Sequence, residues 1–240
     1  MHTLTGKAAI VTGGSRGIGF AIASALLAEG AHVTITGLDD AHLSSARRRL
    51  EGAGPGSIEA LRADVRKYDD VRHAVDATVA RCGGLDYVIN NAGVGVFTNA
   101  ADMTPEQWST VIDTNLTGVF YACHAAIPHL RRRGGGFIVN ISSLAGKNAF
   151  SGGAAYCASK SGLNAFSEAL MQEVRHDGIR VAYVLPGSVN TAFGGLSNTK
   201  SEWALMPDDV AEVVADLIAH PTRSLPSRVE IRPAQPPRKS

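Results

Sequence analysis

The sequence predicts an α/β fold, a doubly wound parallel sheet of about seven strands flanked by helices on both faces. Two observations carry this. Short runs rich in β-branched residues alternate along the chain with longer amphipathic stretches, the rhythm of successive βαβ units. The short runs are also apolar from end to end, which implies burial on both faces and so helices on either side of a parallel sheet. Right-handed crossovers are the expected connections.

The strands are expected at 8–12, 33–36, 58–63, 85–90, 137–141 and 181–185, with 58–63 the weakest of the six. Between and after them the periodicity predicts helices over 17–29, 40–52, 69–82, 104–130, 154–177 and 207–219. Thr104 can cap the fourth of these, with Pro105 in the first helical position and Gln107 closing a capping box. Asp208 and Asp209 follow Pro207 at the start of the last one, where negative charge suits the helix dipole.

The 240 residues, 45% of them hydrophobic, are enough to bury one substantial core, and they read as one domain, 1–240. Within it, 190–206 is long for a connection and is expected to be a substrate-binding loop. The proline-rich basic end, 233–240, is expected to be mobile. Lys plus Arg total 23 against 22 for Asp plus Glu, which leaves no overall field to gather nucleic acid or an anionic membrane. Small molecules are therefore the expected partners. No stretch approaches the ~20 apolar residues of a membrane span, and the N-terminus lacks the pattern of a secretory signal. Cys82, Cys123 and Cys157 show no paired spacing, so reduced thiols and a cytoplasmic location are expected. The eight histidines show no clustered ligand spacing, and no metal site is expected.

The first strand runs straight into Thr12-Gly13-Gly14-Ser15-Arg16-Gly17-Ile18-Gly19, where the first amphipathic helix begins. Strand, glycine turn and helix in that order make a phosphate cradle of Rossmann type. Gly13 permits a tight turn, Gly17 lets backbone approach a pyrophosphate, and Gly19 lets helix and strand pack closely. The helix N-terminus then offers unpaired N–H groups to the anion.

Tyr156 and Lys160 stand four apart near the start of a helix and so share one of its faces. A free phenol titrates near ~10, and an ammonium beside it favours phenolate, so the pair is suited to proton exchange. With these motifs in order, the chain resembles the short-chain dehydrogenase/reductase family over most of its length, in the branch without a separate substrate domain. The turn through Gly13, Ser15, Arg16, Gly17, Ile18 and Gly19 is similar to that family's cofactor turn, and Asp64-Val65 to its adenine-contacting pair. Asn91, Ala92 and Gly93 match the segment after the fourth strand, and Pro186, Gly187, Val189 and Thr191 match the loop on the nicotinamide side.

The resemblance implies roles as well. Tyr156 would give its proton to the carbonyl oxygen as hydride reaches the carbon, and Ser143, thirteen residues earlier, would bond that oxygen. Ser142 is one residue too far for this. Lys160 would tune Tyr156 and hold the ribose, and Asn115 would position a water in a proton relay. Pairing of the helices expected at 104–130 and 154–177 would give a homodimer or homotetramer.

After the second strand, Gly37 stands where relatives that prefer NAD carry Asp, and Leu38 where many that prefer NADP carry Arg. Arg16 is then the best cation for a 2′-phosphate, which favours NADP(H), unless Asp39 turns inward and selects NAD(H). The expected function is NADP(H)-dependent reduction of a moderately hydrophobic ketone or aldehyde. The alternatives are an NAD-dependent alcohol dehydrogenase and, further off, a redox sensor without catalysis, a class that usually loses the Tyr or the Lys. The motifs are also similar to those of bacterial acyl-carrier-protein ketoreductases, but the end of this chain, from Arg228 to Pro233, lacks their glycine-rich final segment, which weighs against fatty-acid synthesis.

Overall fold

A computed structural model describes residues 3–193 and 202–235. Seven parallel strands form one sheet in the order β3-β2-β1-β4-β5-β6-β7. They are β1 Ala8–Thr12, β2 His32–Gly37, β3 Ser57–Arg62, β4 Tyr87–Asn90, β5 Gly136–Ile141, β6 Ile179–Pro186 and β7 Arg228–Ile231. The order reverses between β1 and β4, and at such a switch point the crevice beyond the carboxyl ends of the strands is the natural ligand site.

Successive strand residues face opposite sides, and each side has its own core. Ala9, Val11, Val33, Ile35, Ile89, Val139 and Val184 face α1 (Gly17–Ala28), α2 (Asp40–Leu50) and α7 (Pro207–Ala219). Ile10, Val88, Ile138 and Val181 face α3 (Tyr68–Cys82), α5 (Gly118–Arg133) and α6 (Ala154–Val174). This is the two-layer burial that uninterrupted apolar strands require.

Two elements differ from expectation. Strand β7 lies outside the six runs, because it is a short edge strand carrying Arg228 and Glu230 and so gives little apolar signal. The helix expected at 104–130 is two helices, α4 (Pro105–Ile112) and α5, joined by a π-helical turn, Asp113–Thr117. Such turns insert an extra residue into the spiral. This one carries Asn115, fully buried, inward to bond the Val94 backbone. At the head of α4 the capping box forms as read from the sequence: Thr104 Oγ1 accepts the Gln107 N–H at 3.2 Å, and Gln107 Oε1 accepts the Thr104 N–H at 2.9 Å. No helix among the described residues is long and apolar enough to cross a membrane.

Candidate active site

The glycine turn connects β1 to α1 at the switch point. Gly13 has φ +65°, and a Cβ there would lie 2.9 Å from the Ala92 Cα. A Cβ on Gly19 would lie 2.5 Å from the Gly13 carbonyl oxygen, so glycine is what lets α1 press onto the turn. Arg16 stands at the N-cap of α1 and its side chain makes no capping hydrogen bond. A backbone cradle with uncapped donors at a helix N-terminus fits a pyrophosphate.

The turn is braced from β4. Thr12 Oγ1 accepts the N–H groups of Asn91 and Ala92 at 3.0 and 3.1 Å, and Asn91 Nδ2 donates to the Thr12 and Gly13 carbonyls at 2.9 and 3.1 Å. Asn91 thus spends its amide on the turn's own shape. Thr12 heads the glycine run read from the sequence, but its clamp on Asn91 and Ala92 joins residues far apart in the chain and carries no local signal.

Leu38, 54% exposed, stands just beyond β2. Asp39 does not turn inward: its Oδ1 caps α2 by accepting the His42 N–H at 2.7 Å. Arg16 is exposed and close enough to Asp39 to help lower its pKa, a shift caused chiefly by the His42 hydrogen bond. Asp64 is held by Arg66, whose Nη2 donates at 2.7 Å, and this hydrogen bond brings its carboxyl below the usual range despite partial burial. Val65 is buried against Gly118, where a Cβ would come within 3.0 Å of it.

Past β6, the Gly187 N–H donates to the Ile231 carbonyl at 2.8 Å. Val189 bridges to Leu205, closing the base of the 190–206 stretch, of which 194–201 lie outside the described residues. Thr191 sits over the glycine turn, its Cγ2 3.3 Å from where a Gly17 Cβ would be. Of the 233–240 end, 236–240 lie outside the described residues; Pro233 packs 3.1 Å from where a Gly187 Cβ would be.

Tyr156 and Lys160 occupy the first turns of α6. Lys160 is buried, its Nζ donating to the Ile141 carbonyl at 2.8 Å and lying 5.9 Å from the Tyr156 ring centre. Burial, with no carboxylate against it, brings its pKa down to about 8. Burial also pushes the Tyr156 phenol above its ordinary value, offset in part by a hydrogen bond with Ser143. Desolvation is the largest influence on the phenol, and the Ser143 hydrogen bond is the one that opposes it.

Ser143 reaches the phenol because it begins the turn pressed onto α6, and a Cβ on Gly146 would collide there, 2.8 Å from the Lys160 carbonyl oxygen. Ser142 points away into the core and bonds Asn164 Oδ1 at 2.5 Å. Asn115 Nδ2 donates to the Val94 carbonyl at 2.9 Å and to Ser159 Oγ at 3.0 Å, while its Oδ1 accepts the Val94 N–H at 2.8 Å. Both amide hydrogens are thus used, and Oδ1 keeps one lone pair with which to accept from a water. Ser159 closes the chain by donating to the Tyr156 carbonyl at 2.8 Å, a link that nothing in the sequence announces.

Comparison with known proteins agrees with this geometry. A short chain dehydrogenase family model matches residues 7–202. A 3-oxoacyl-[acyl-carrier-protein] reductase from Chlamydia muridarum is 42% identical over 202 residues, covering 83% of this chain and 82% of that protein. The crystal structure of a metagenomic short-chain oxidoreductase in complex with NADP is 38% identical, covers 97% of this chain and 99% of that one, and superposes with a TM-score of 0.86. An alcohol dehydrogenase from the archaeon Thermococcus sibiricus, complexed with 5-hydroxy-NADP, is 29% identical with the same coverages and a TM-score of 0.90.

Proposed function

This chain belongs to the short-chain dehydrogenase family, and from that premise we propose that it is an NADP(H)-dependent reductase of ketones or aldehydes. The observation that carries the reading is the meeting of Ser143 and buried Lys160 at Tyr156, at the same carboxyl end of the strands as the glycine turn.

A nicotinamide dinucleotide bound along this crevice supplies the hydride. The pyrophosphate falls to Gly13, Ser15, Gly17, Ile18 and Gly19, and the adenosine end to Leu38, Asp64 and Val65, with Ala92 and Gly93 forming the floor of the site. Pro186, Gly187, Val189 and Thr191 border the nicotinamide. Val65 can contribute only backbone, since its side chain is buried. Arg16 takes the 2′-phosphate, a reading supported by Gly37 and by the use of Asp39 as a helix cap. Two of the solved relatives above were bound to NADP or its derivative.

Tyr156 gives its proton to the carbonyl oxygen. Its raised pKa keeps it protonated at neutral pH, the state a proton donor needs. Ser143 bonds the same oxygen as negative charge builds on it. Lys160 stabilises the phenolate left behind and bonds the ribose. Asn115 is a positioning residue, tying the segment after β4 to α6 through Val94 and Ser159. Three free cysteines agree with a reducing, cytoplasmic setting. Trp108 and Phe120, both largely exposed on α4 and α5, suit the helix face expected to meet a second copy.

The test is loss of nicotinamide absorbance with NADPH or NADH and a panel of ketones and aldehydes, for wild type and Tyr156→Phe. NADPH should be used in preference, and the variant should lose roughly 10²- to 10⁴-fold in kcat/KM. Cofactor binding without turnover in any pairing would replace this reading with a redox-sensing role. The identity with the Chlamydia reductase favours a 3-oxoacyl thioester as second reading, so one belongs in the panel.

A further inference from the structure

Three of the chain's seven phenylalanines, from three separate loops, form a cluster beside Tyr156, two of them against its ring and the third against Phe97. Phe97, after β4, approaches the tyrosine ring edge-on with centroids 5.6 Å apart and planes at 72°. Phe193, after β6, tilts against it at 5.5 Å, and Phe150, in the turn before α6, tilts against Phe97 at 6.0 Å and 41°.

The rings are seated on backbone. A Cβ on Gly95 would come within 2.8 Å of both Phe97 and Phe193, and one on Gly153 within 2.5 Å of Phe150. Yet Phe97 stays 40% exposed and Phe150 48% exposed. Large apolar rings held in place and open to solvent beside a reactive phenol suggest a ligand surface more than a core.

We propose that Phe97, Phe150 and Phe193 form a wall that binds an aromatic ring of the substrate and makes the enzyme favour carbonyl compounds bearing an aryl group over saturated ones of equal size. The inference rests on the carbonyl-reductase reading and narrows its substrate class. Ser143 and Tyr156 engage the carbonyl oxygen; the wall sorts what the carbonyl carries. Tilted and edge-on rings leave both faces and edges for a further ring, whose own quadrupole adds an attraction that a saturated ring of similar volume lacks.

Phenylacetone and cyclohexylacetone test this, because in neither is the carbonyl conjugated to the ring. The kcat/KM ratio should favour phenylacetone by roughly three- to tenfold in wild type and fall to within about twofold of unity in Phe97→Leu and Phe150→Leu. The ratio is the readout, so a general loss of rate in a variant does not obscure it. A wild-type ratio near one, or a ratio that survives both substitutions, overturns the wall. If neither ketone is reduced, the wider panel decides the reductase reading separately, and dissociation constants of the two ketones by ligand-observed NMR decide the wall: tighter phenylacetone supports it and equal binding overturns it.

Discussion

Two buried charges sit at opposite ends of the sheet, and they are treated differently. Asp86, just before β4, is 4% exposed and fully matched: the Ala8 N–H at 3.0 Å, Lys7 at 3.0 Å and Arg133 at 3.2 Å all reach it. Burial by itself would raise its pKa, but Arg133, the Ala8 N–H and Lys7 bring it below the usual carboxylate range. Lys160, near the carboxyl end of β5, is also 4% exposed, and among the described residues its ammonium has a hydrogen bond to the Ile141 carbonyl and no ion pair. Its pKa falls to about 8. The first charge holds the fold together; the second is held at a cost, and the fold supports it where a ligand and a reacting phenol can use it.

Three experiments can break or sharpen that contrast. Replacing Lys160 by Met should lower kcat/KM by roughly 10²- to 10⁴-fold, the range for losing a group that supports proton transfer. Stability at pH 7 should not fall, because the cost of the buried charge, about 3 kcal/mol from its shift, is removed while the Ile141 carbonyl loses a partner worth about 1–3 kcal/mol. Urea denaturation showing a loss above 2 kcal/mol would make Lys160 as structural as Asp86.

Asp86→Ala should do the opposite. It strips the Ala8 N–H of its acceptor and should cost about 2 kcal/mol of stability, while kcat/KM of the folded enzyme stays within about threefold of wild type. A large loss of activity at unchanged stability would dissolve the distinction between the two ends.

The smallest effect lies in pH. The folded pKa of Lys160, about 8, is below its unfolded value, so its penalty is full at lower pH and fades as pH rises from 8 towards 10.5. Wild type should therefore gain about 1 kcal/mol on Lys160→Met between pH 7 and pH 9. Asp86 is depressed instead, so its contribution persists above the ordinary carboxylate range and is lost only as acid carries the pH through its folded value. The difference between wild type and Asp86→Ala should be flat over the alkaline window. A parallel drift in both variants would mean that some other group titrates there.

What the sequence determined by itself is what short-range spacing encodes. The glycine turn, the four-residue step from Tyr156 to Lys160, the capping box at Thr104 and the apolar strands are each written within one element or one turn, where backbone geometry translates sequence distance into spatial distance. Six of the seven strands and the helices could be anticipated in kind, though not the break at Asp113–Thr117 that divides one expected helix into two, nor the place of the charged edge strand β7. Tertiary structure alone decided the rest. Asn115 bonded to Val94 and Ser159, Thr12 clamping Asn91, Asp39 spent on α2, and Phe97 and Phe193 brought against one phenol with Phe150 behind Phe97 all join residues far apart in the chain or assign a side chain to one of several partners. Those choices follow from packing and from which charges lose their water, and neither is a property of local sequence.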